Sequence, residues 1–338
     1  MKSRHLRRES KKRSTYFCAT SYSRAMQRSS INIPIEARPA DGKTTRLRLP
    51  FTKPFGWPAL LAFLGPRAFP GVEAVTTTGY RRALLLEGKP LIIAATCDAK
   101  NAFVELSIAS GVKSVGPQMT ERATRFFDLG NDPLVIAKHL SRDKVLKRAL
   151  VAARGLRIPG AWSPFELAVR AIIGQQVSVK AATTFAGRLV STYGAPLPAA
   201  TDPAGELVRS FPPPAALAHA DLTKIGLIRT RAKWISALAS TLVEHPDFFD
   251  RLHSLDMAIS ELTRLPGIGQ WTAHYIAMRA LREPDAFPTG DLGLIRAYGQ
   301  LAGKTVTARE LDHVAAGWRP WRAYAAMHLW MSDPAAGG

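Results

Sequence analysis

The stretch with the clearest chemical content is Met257–Arg282, MAISELTRLPGIGQWTAHYIAMRALR, followed by Asp291 in Phe287–Leu294, FPTGDLGL. A helix stops at Pro266, Gly267-Ile268-Gly269 turns the chain, and an amphipathic helix restarts at Gln270. The two glycines permit positive φ and leave no side chains in the way, so backbone N–H groups of the turn can point outward at one spot. Unsatisfied donors at a helix start favour an anion, and one phosphate of a polynucleotide fits there; such a grip reads no base. Taken alone, Leu265–Gly269 is better explained as a plain turn between core helices. Asp291 changes that balance. Closing a Pro/Gly turn, it is first of all an N-cap, but the same turn brings its carboxylate back beside the hairpin. A phosphate grip next to a carboxylate suits cleavage of an N-glycosidic bond. The departing base leaves positive charge on the sugar, and a carboxylate stabilises that charge or orients a water.

The elements that must hold these residues are legible in outline. Runs of strand character at Val72–Thr77, Tyr80–Leu86, Leu91–Ala95 and Phe103–Ile108 are separated by turn signals at Thr78-Gly79, Glu87-Gly88-Lys89 and Asp98–Asn101, which predicts an antiparallel meander. Trp57–Leu64 (WPALLAFL) reads as one short helix between Pro54 and Pro66. From Gln118 the pattern is helical, with helices predicted over 119–128, 132–140, 143–154, 164–173, 178–193, 229–244, 257–264, 270–282, 291–300, 307–316 and 320–332. Asp132, Ser163 and Ser178 stand where N-caps belong. Pro196–Pro214, with its prolines, reads as a surface loop. The predicted fold class is mainly α, with a small N-terminal α+β domain of antiparallel sheet plus helix.

The 338 residues carry 46 Lys+Arg against 26 Asp+Glu, a net charge of +20. Residues 1–50 hold 13 of those basic and 3 of those acidic residues, so half of the excess sits in the first seventh of the chain. Residues 1–46 are rich in Arg, Lys and Ser without sustained periodicity, and read as a basic, disordered tail. A passive tail, a non-specific phosphate contact, an organelle-targeting peptide and an early start codon are the readings open for it. The remainder still carries +10, which points to a polyanionic partner without the tail. No uncharged apolar run approaches the roughly 18 residues of a spanning helix, which argues against a membrane protein. Cys18 and Cys97 can neither form a disulfide scaffold nor supply the four thiolates of an iron–sulfur cluster.

LPGIGQWTA followed by FPTGDLGLIR resembles the helix–hairpin–helix Gly/Pro/Asp superfamily of DNA glycosylases. Phe165–Ser178 (FELAVRAIIGQQVS) is similar to that superfamily's helix carrying the DNA-wedging residue. Trp318–Trp330 (WRPWRAYAAMHLW), PFGWPALLAFLGPRAFPGVEAV and RFFDLGNDP are similar to its 3-methyladenine DNA glycosylase II branch. The likeness covers the chain from about residue 48. It implies an N-terminal α+β domain over 47–138, a helical domain with the hairpin over 164–283, and a second helical subdomain, 139–163 with 284–338, carrying the catalytic carboxylate. It implies Asp291 as that carboxylate and Trp271, Tyr275, Trp330 and Phe63 around the base. Gly267, Ile268, Gly269, Gln270 and Thr272 would meet DNA, with Gln175, Gln176 and Ser178; Gln176 is the wedge candidate and Gln175 the alternative. No cofactor is implied beyond an alkali ion, Na+ or K+, at the 265–270 hairpin carbonyls. The implied partner is double-stranded DNA containing alkylated bases, met by a monomer in the cytoplasm at the nucleoid.

Two departures stand out. Gly290 occupies a position where the best-known member has a second acid, and the wedge is the polar Gln176 instead of an aliphatic residue. Trp271 occupies the place of the lysine that backbone-nicking relatives use for a Schiff base, so the resemblance implies a monofunctional enzyme. Purines alkylated at N3 or N7 carry positive charge that already weakens the glycosidic bond, so one carboxylate suffices. Aromatic faces attract such a ring by about 0.5–2 kcal/mol per contact, which predicts a broad substrate range. Trp318 and Trp321 are expected in packing. His274 and His328, without evident partners, are expected to be structural. The rival readings are a non-catalytic helix–hairpin–helix DNA-binding protein, a bifunctional glycosylase/lyase, and a remnant of a regulatory fusion.

Overall fold

Alternating Arg and Leu in Thr44–Pro50 (TTRLRLP) sends Leu47 and Leu49, each 1% exposed, to one face of a strand and Arg46 and Arg48 towards the other. The computed structural model of the chain describes residues 38–40, 44–86, 88–110, 116–198, 201–202 and 204–333. Residues 1–37 and 41–43, most of the basic segment, lie outside the described residues.

The sheet is six-stranded and antiparallel, in the order β1-β2-β6-β5-β4-β3. Its strands are β1 (Arg38–Ala40), β2 (Thr44–Pro50), β3 (Glu73–Val75), β4 (Gly79–Leu86), β5 (Lys89–Asp98) and β6 (Phe103–Ser110). The four strands of the meander are present, β5 longer than expected at both ends. β1 and β2 are additions to the expected sheet. Order therefore begins before Leu47, and β1, only three residues long, exists by pairing Arg38 opposite Arg46. β2 then lies along the whole of β6, Leu47 opposite Leu106. One face of the sheet packs Leu91, Ile93, Val104 and Leu106 against helix α1 (Trp57–Leu64) and α2 (Gly116–Phe126).

The rest is helical: α3 (Pro133–Leu140), α4 (Lys144–Ala152), α5 (Pro164–Ile173), α6 (Val179–Tyr193), α7 (Pro214–Ala218), α8 (Arg229–Glu244), α9 (Leu255–Thr263), α10 (Gln270–Ile276), α11 (Leu292–Ala302), α12 (Ala308–Ala315) and α13 (Arg322–Ser332). Local chemistry sets several starts. Asp132 accepts from Leu134 N at 2.8 Å, Ser163 from Glu166 N at 3.4 Å and Ser178 from Ala181 N at 3.1 Å. The expected helix 270–282 is α10 running into a wider π-helical turn, Ala277–Leu281, and it ends at Arg282 with φ 68°. Arg279 and Arg282 from this turn hold the carbonyls of Pro159, Gly160 and Ile158.

Buried charges join the sheet to the helices. Arg82 on β4 pairs with Glu73 at 2.8 Å and with Glu166 on α5. Residues 196–214 are not a mere surface loop. Leu207 and Phe211 are buried, Pro196 bridges Arg209, and Asp202 accepts from Leu207 N at 2.9 Å while pairing with Arg81 of β4. Prolines pre-set φ without needing ladder hydrogen bonds, so this segment packs on the sheet as irregular chain.

Candidate active site

Gly267 sits at φ 80°, and a Cβ there would run into the indole of Trp234, so both conformation and close packing demand glycine. Gly269 does not share that conformation: at φ −85° it is the extended N-cap of α10, with nothing within 4 Å of where a Cβ would be. No side chain caps α10, so no side chain occupies the donors of its first turn. Two residues expected at DNA turn inward instead. Ile268 is in the core, and Thr272 is buried with its Oγ1 accepting from Gln175 Nε2 at 3.2 Å. Pro266, Gly269 and Gln270 are exposed.

The two glutamines separate cleanly. Gln175 Nε2 also donates to Gly267 O at 2.7 Å, and its own carbonyl accepts from Arg231 Nη2 at 2.6 Å, making it a strut under the hairpin. Gln176 is exposed, at φ 55°, and its side chain makes no hydrogen bond to the described residues. Ser178 spends its hydroxyl capping α6.

Asp291 caps α11, its Oδ1 accepting from Leu294 N at 2.8 Å. Two indoles complete its shell: Trp271 Nε1 on Oδ2 at 2.7 Å and Trp330 Nε1 on Oδ1 at 3.1 Å. Among the described residues no ion pair involves it; the neighbouring Arg296 is taken by Asp333 at 2.5 Å. Trp271 stacks on Tyr275 with centroids 5.3 Å apart and planes 8° off parallel, and Trp330 meets Tyr275 edge-on at 6.1 Å. These residues line a cavity of about 530 Å³ together with Phe63, Arg67 and Arg170. A larger cavity of about 830 Å³, against Phe51, Leu150 and His328, has no carboxylate and no hairpin residue in its wall, so size does not mark the site.

The cavity is thus aromatic, as the sequence predicts for Trp271, Tyr275, Trp330 and Phe63, but it is also cationic. Arg67 lies over the Phe63 ring at 4.0 Å and Arg279 at 5.1 Å, so Phe63 does not offer an open π face. Arg279 Nη1 donates to Tyr275 OH at 2.7 Å. Burial would push the Tyr275 pKa up, but Arg279, Arg67 and Arg170 outweigh it and bring it below the ordinary phenol value. Burial likewise lowers the pKa of Arg67 and Arg170. The sequence reading missed these arginines. The available signal was helical spacing, since Arg67 follows Phe63 and Arg279 follows Tyr275 by four residues.

Trp318 and Trp321 are buried in packing, Trp318 Nε1 donating to Asp143 at 2.9 Å. His274, expected to lack a partner, accepts from Phe287 N at 3.2 Å and so braces the turn before Asp291. Burial, then the neighbouring Arg322, pushes its pKa down to about 4. His328 is also brought down to about 4 by burial. Neither lines the cavity that holds Asp291.

Residues 46–163 match the AlkA N-terminal domain, and residues 169–321 match the HhH-GPD superfamily base excision DNA repair proteins. Over 295 residues the chain is 39% identical to a Mycobacterium tuberculosis protein named "Probable bifunctional transcriptional activator/DNA repair enzyme AlkA", covering 87% of this chain and 58% of that one. It therefore spans little more than half the length of that relative. With DNA-3-methyladenine glycosylase 2 of Escherichia coli (strain K12) it shares 32% identity over 284 residues, covering 83% of this chain and 95% of the relative. A solved 3-methyladenine DNA-glycosylase from Archaeoglobus fulgidus has the same fold, with TM-score 0.73 and 23% identity over 85% of this chain and 97% of that chain. The chain belongs to the HhH-GPD superfamily of base excision DNA repair proteins, in the branch that carries the AlkA N-terminal domain.

Proposed function

We propose that this protein is a monofunctional DNA glycosylase that excises alkylated purines, 3-methyladenine, 7-methylguanine and related lesions, from double-stranded DNA. The observation that carries the reading is the Asp291 carboxylate, held by two indole N–H groups and its own helix start at the wall of an aromatic cavity.

The exposed turn at Gly269 and Gln270 takes a backbone phosphate on the open start of α10. The hairpin carbonyls also suit an alkali ion. Leu265, Gly267 and Gly269 oxygens each spend one lone pair inside the protein, on Ile268 N at 3.1 Å, Gln175 Nε2 at 2.7 Å and Ala273 N at 2.9 Å. Each retains one, a set of neutral oxygen donors that fits Na+ or K+ and would add positive charge beside the phosphate. Gln176, unbound and exposed, fills the gap left by the flipped nucleotide, and Gln175 braces the turn behind it.

In the cavity the C1′–N bond breaks with its electron pair leaving on the base, which neutralises the positive charge of an N3- or N7-alkylated purine. The sugar takes up positive charge facing Asp291. Water then adds to C1′ and gives up its proton to the surrounding solvent. Trp271 offers no amine for a Schiff base, so the product is an abasic site with an intact backbone.

Purified protein given N-methylated duplex DNA, with chromatography of the released bases, tests this beside Asp291→Asn. Release of 3-methyladenine and 7-methylguanine by the parent, and far less by the variant, is the expected result. No release by the parent with DNA binding intact would leave a DNA-binding protein. Equal release by both would remove Asp291 from the mechanism.

A further inference from the structure

Three guanidinium groups stand around the aromatic wall of the cavity, and they are not equivalent. Arg279 is spent, with Nε on Pro159 O at 2.8 Å, Nη2 on Gly160 O at 3.1 Å and Nη1 on Tyr275 OH at 2.7 Å. Arg170 Nη2 is committed to Thr183 Oγ1 at 2.9 Å. Arg67 donates once, from Nη1 to Phe63 O at 3.1 Å, and its guanidinium lies over the Phe63 ring at 4.0 Å. Among the described residues it has no ion pair and no other hydrogen bond, yet it lines the cavity with Trp271, Tyr275 and Asp291. A guanidinium carries five N–H donors, so most of this fork is unspent at the cavity wall, on a residue held at one end by the ring and the carbonyl.

We propose that Arg67 is a specificity-determining residue: it donates to the O6/N7 edge of a flipped purine alkylated at N3, whose N7 is free to accept, and so favours the 6-oxopurine over the 6-aminopurine among N3-alkylated lesions. The inference rests on the glycosylase reading above. A planar fork matches the two adjacent acceptors, O6 and N7, of a guanine-type base. An adenine-type base presents an amino donor beside N7, so one bond is lost and a donor faces a donor. The π surface cannot make this choice. Phe63 is already covered by Arg67 and Arg279, and stacking on Trp271 is the same for either ring.

3-Methylguanine and 3-methyladenine isolate the edge, because both carry a methyl group at N3 and a positive charge in DNA and differ at C6. N-methylated duplex DNA releases both in one digestion, and the ratio of initial release rates, each divided by the amount of that lesion in the DNA, is the ratio of kcat/KM. Arg67→Met is expected to lower the 3-methylguanine to 3-methyladenine ratio about tenfold, and Arg67→Lys, which keeps charge without the fork, by less. An internal ratio is insensitive to partial misfolding. Should Arg67→Met release too little to measure, any fall of the ratio in Arg67→Lys carries the test. An unchanged ratio in the variants would overturn the proposal and leave Arg67 as a stacking partner of Phe63. A parent that releases neither base would instead bring down the glycosylase reading itself.

Discussion

Asp128, 2% exposed, has both oxygens taken: Arg282 Nη2 at 2.5 Å and Asn131 Nδ2 at 2.6 Å on Oδ1, Ile158 N at 3.0 Å and Tyr324 OH at 2.8 Å on Oδ2. Asp291, half-buried in the cavity wall, receives only neutral donors: two indoles and one backbone N–H. Both are aspartates at the edge of a turn, and the difference lies in what compensates the charge. The negative field of Asp128 is largely cancelled by a guanidinium in contact and serves to tie residues 128–131, 158, 282 and 324 together. Around Asp291 hydrogen bonds fix the orientation and leave the charge uncancelled by any contacting cation. A positive charge developing beside it at the cavity wall is then stabilised by a carboxylate already oriented, without reorganisation.

The contrast breaks most visibly at Asp128. Asp128→Ala leaves Arg282 largely buried without its carboxylate and orphans Ile158 N and Tyr324 OH. It should cost about 3–5 kcal/mol in a urea-unfolding measurement. Base release per folded molecule should stay at the parent level; a loss at equal folded fraction would mean that Asp128 is not merely structural. Asp291→Asn should do the reverse. Release falls about 10²–10³-fold, while the asparagine oxygen keeps the N-cap bond to Leu294 N and its NH2, facing the Trp271 indole N–H, costs about 1–2 kcal/mol, less than Asp128→Ala. Trp271→Phe sharpens the point. It keeps a ring stacked on Tyr275 but removes the donor on Oδ2, and should lower single-turnover release about tenfold, the worth of one hydrogen bond to a charged group. A rate unchanged in Trp271→Phe would show that the indole orients nothing.

The hairpin, Asp291 and most helix limits were legible because each is written locally. Proline and glycine fix the turn, Ser163, Ser178, Asp132 and Asp291 cap helices with side chains two or three residues away, and apolar spacing marks the buried faces. What escaped depends on partners distant in the chain. β1 has three residues and exists only through β2. β2 itself carried a readable alternation in Arg46 to Leu49. Arg82 finds Glu166, and Arg282 finds Asp128, across more than eighty residues, a pairing that no local pattern announces. At the site, the resemblance supplied the aromatic residues but not the arginines covering them, and the side chains of Ile268 and Thr272, expected at DNA, pack inward. Both glycines permit positive φ, but only Gly267 adopts it, and only Gly267 faces an indole that leaves no room for a side chain.

The smallest effect separates the regions by acid. Burial holds His328 at about 4 against an ordinary 6.5, and burial with Arg322 does the same to His274. Below 6.5 the unfolded chain takes up protons that the folded one refuses, so the folded state loses stability as pH falls from about 6.5 towards 4. Above that window the two histidines contribute nothing to pH dependence. His328→Leu removes one of them, and the drop in unfolding free energy between pH 7 and 5.5 should shrink by on the order of 1 kcal/mol. An identical acid limb would show that His328 does not titrate in this window. Because neither histidine lines the cavity of Asp291, base release by the molecules still folded should not follow that acid limb. If it falls in step with stability, the framework and the site titrate together, and the separation between a compensated Asp128 and an uncompensated Asp291 is not as clean as their contacts make it.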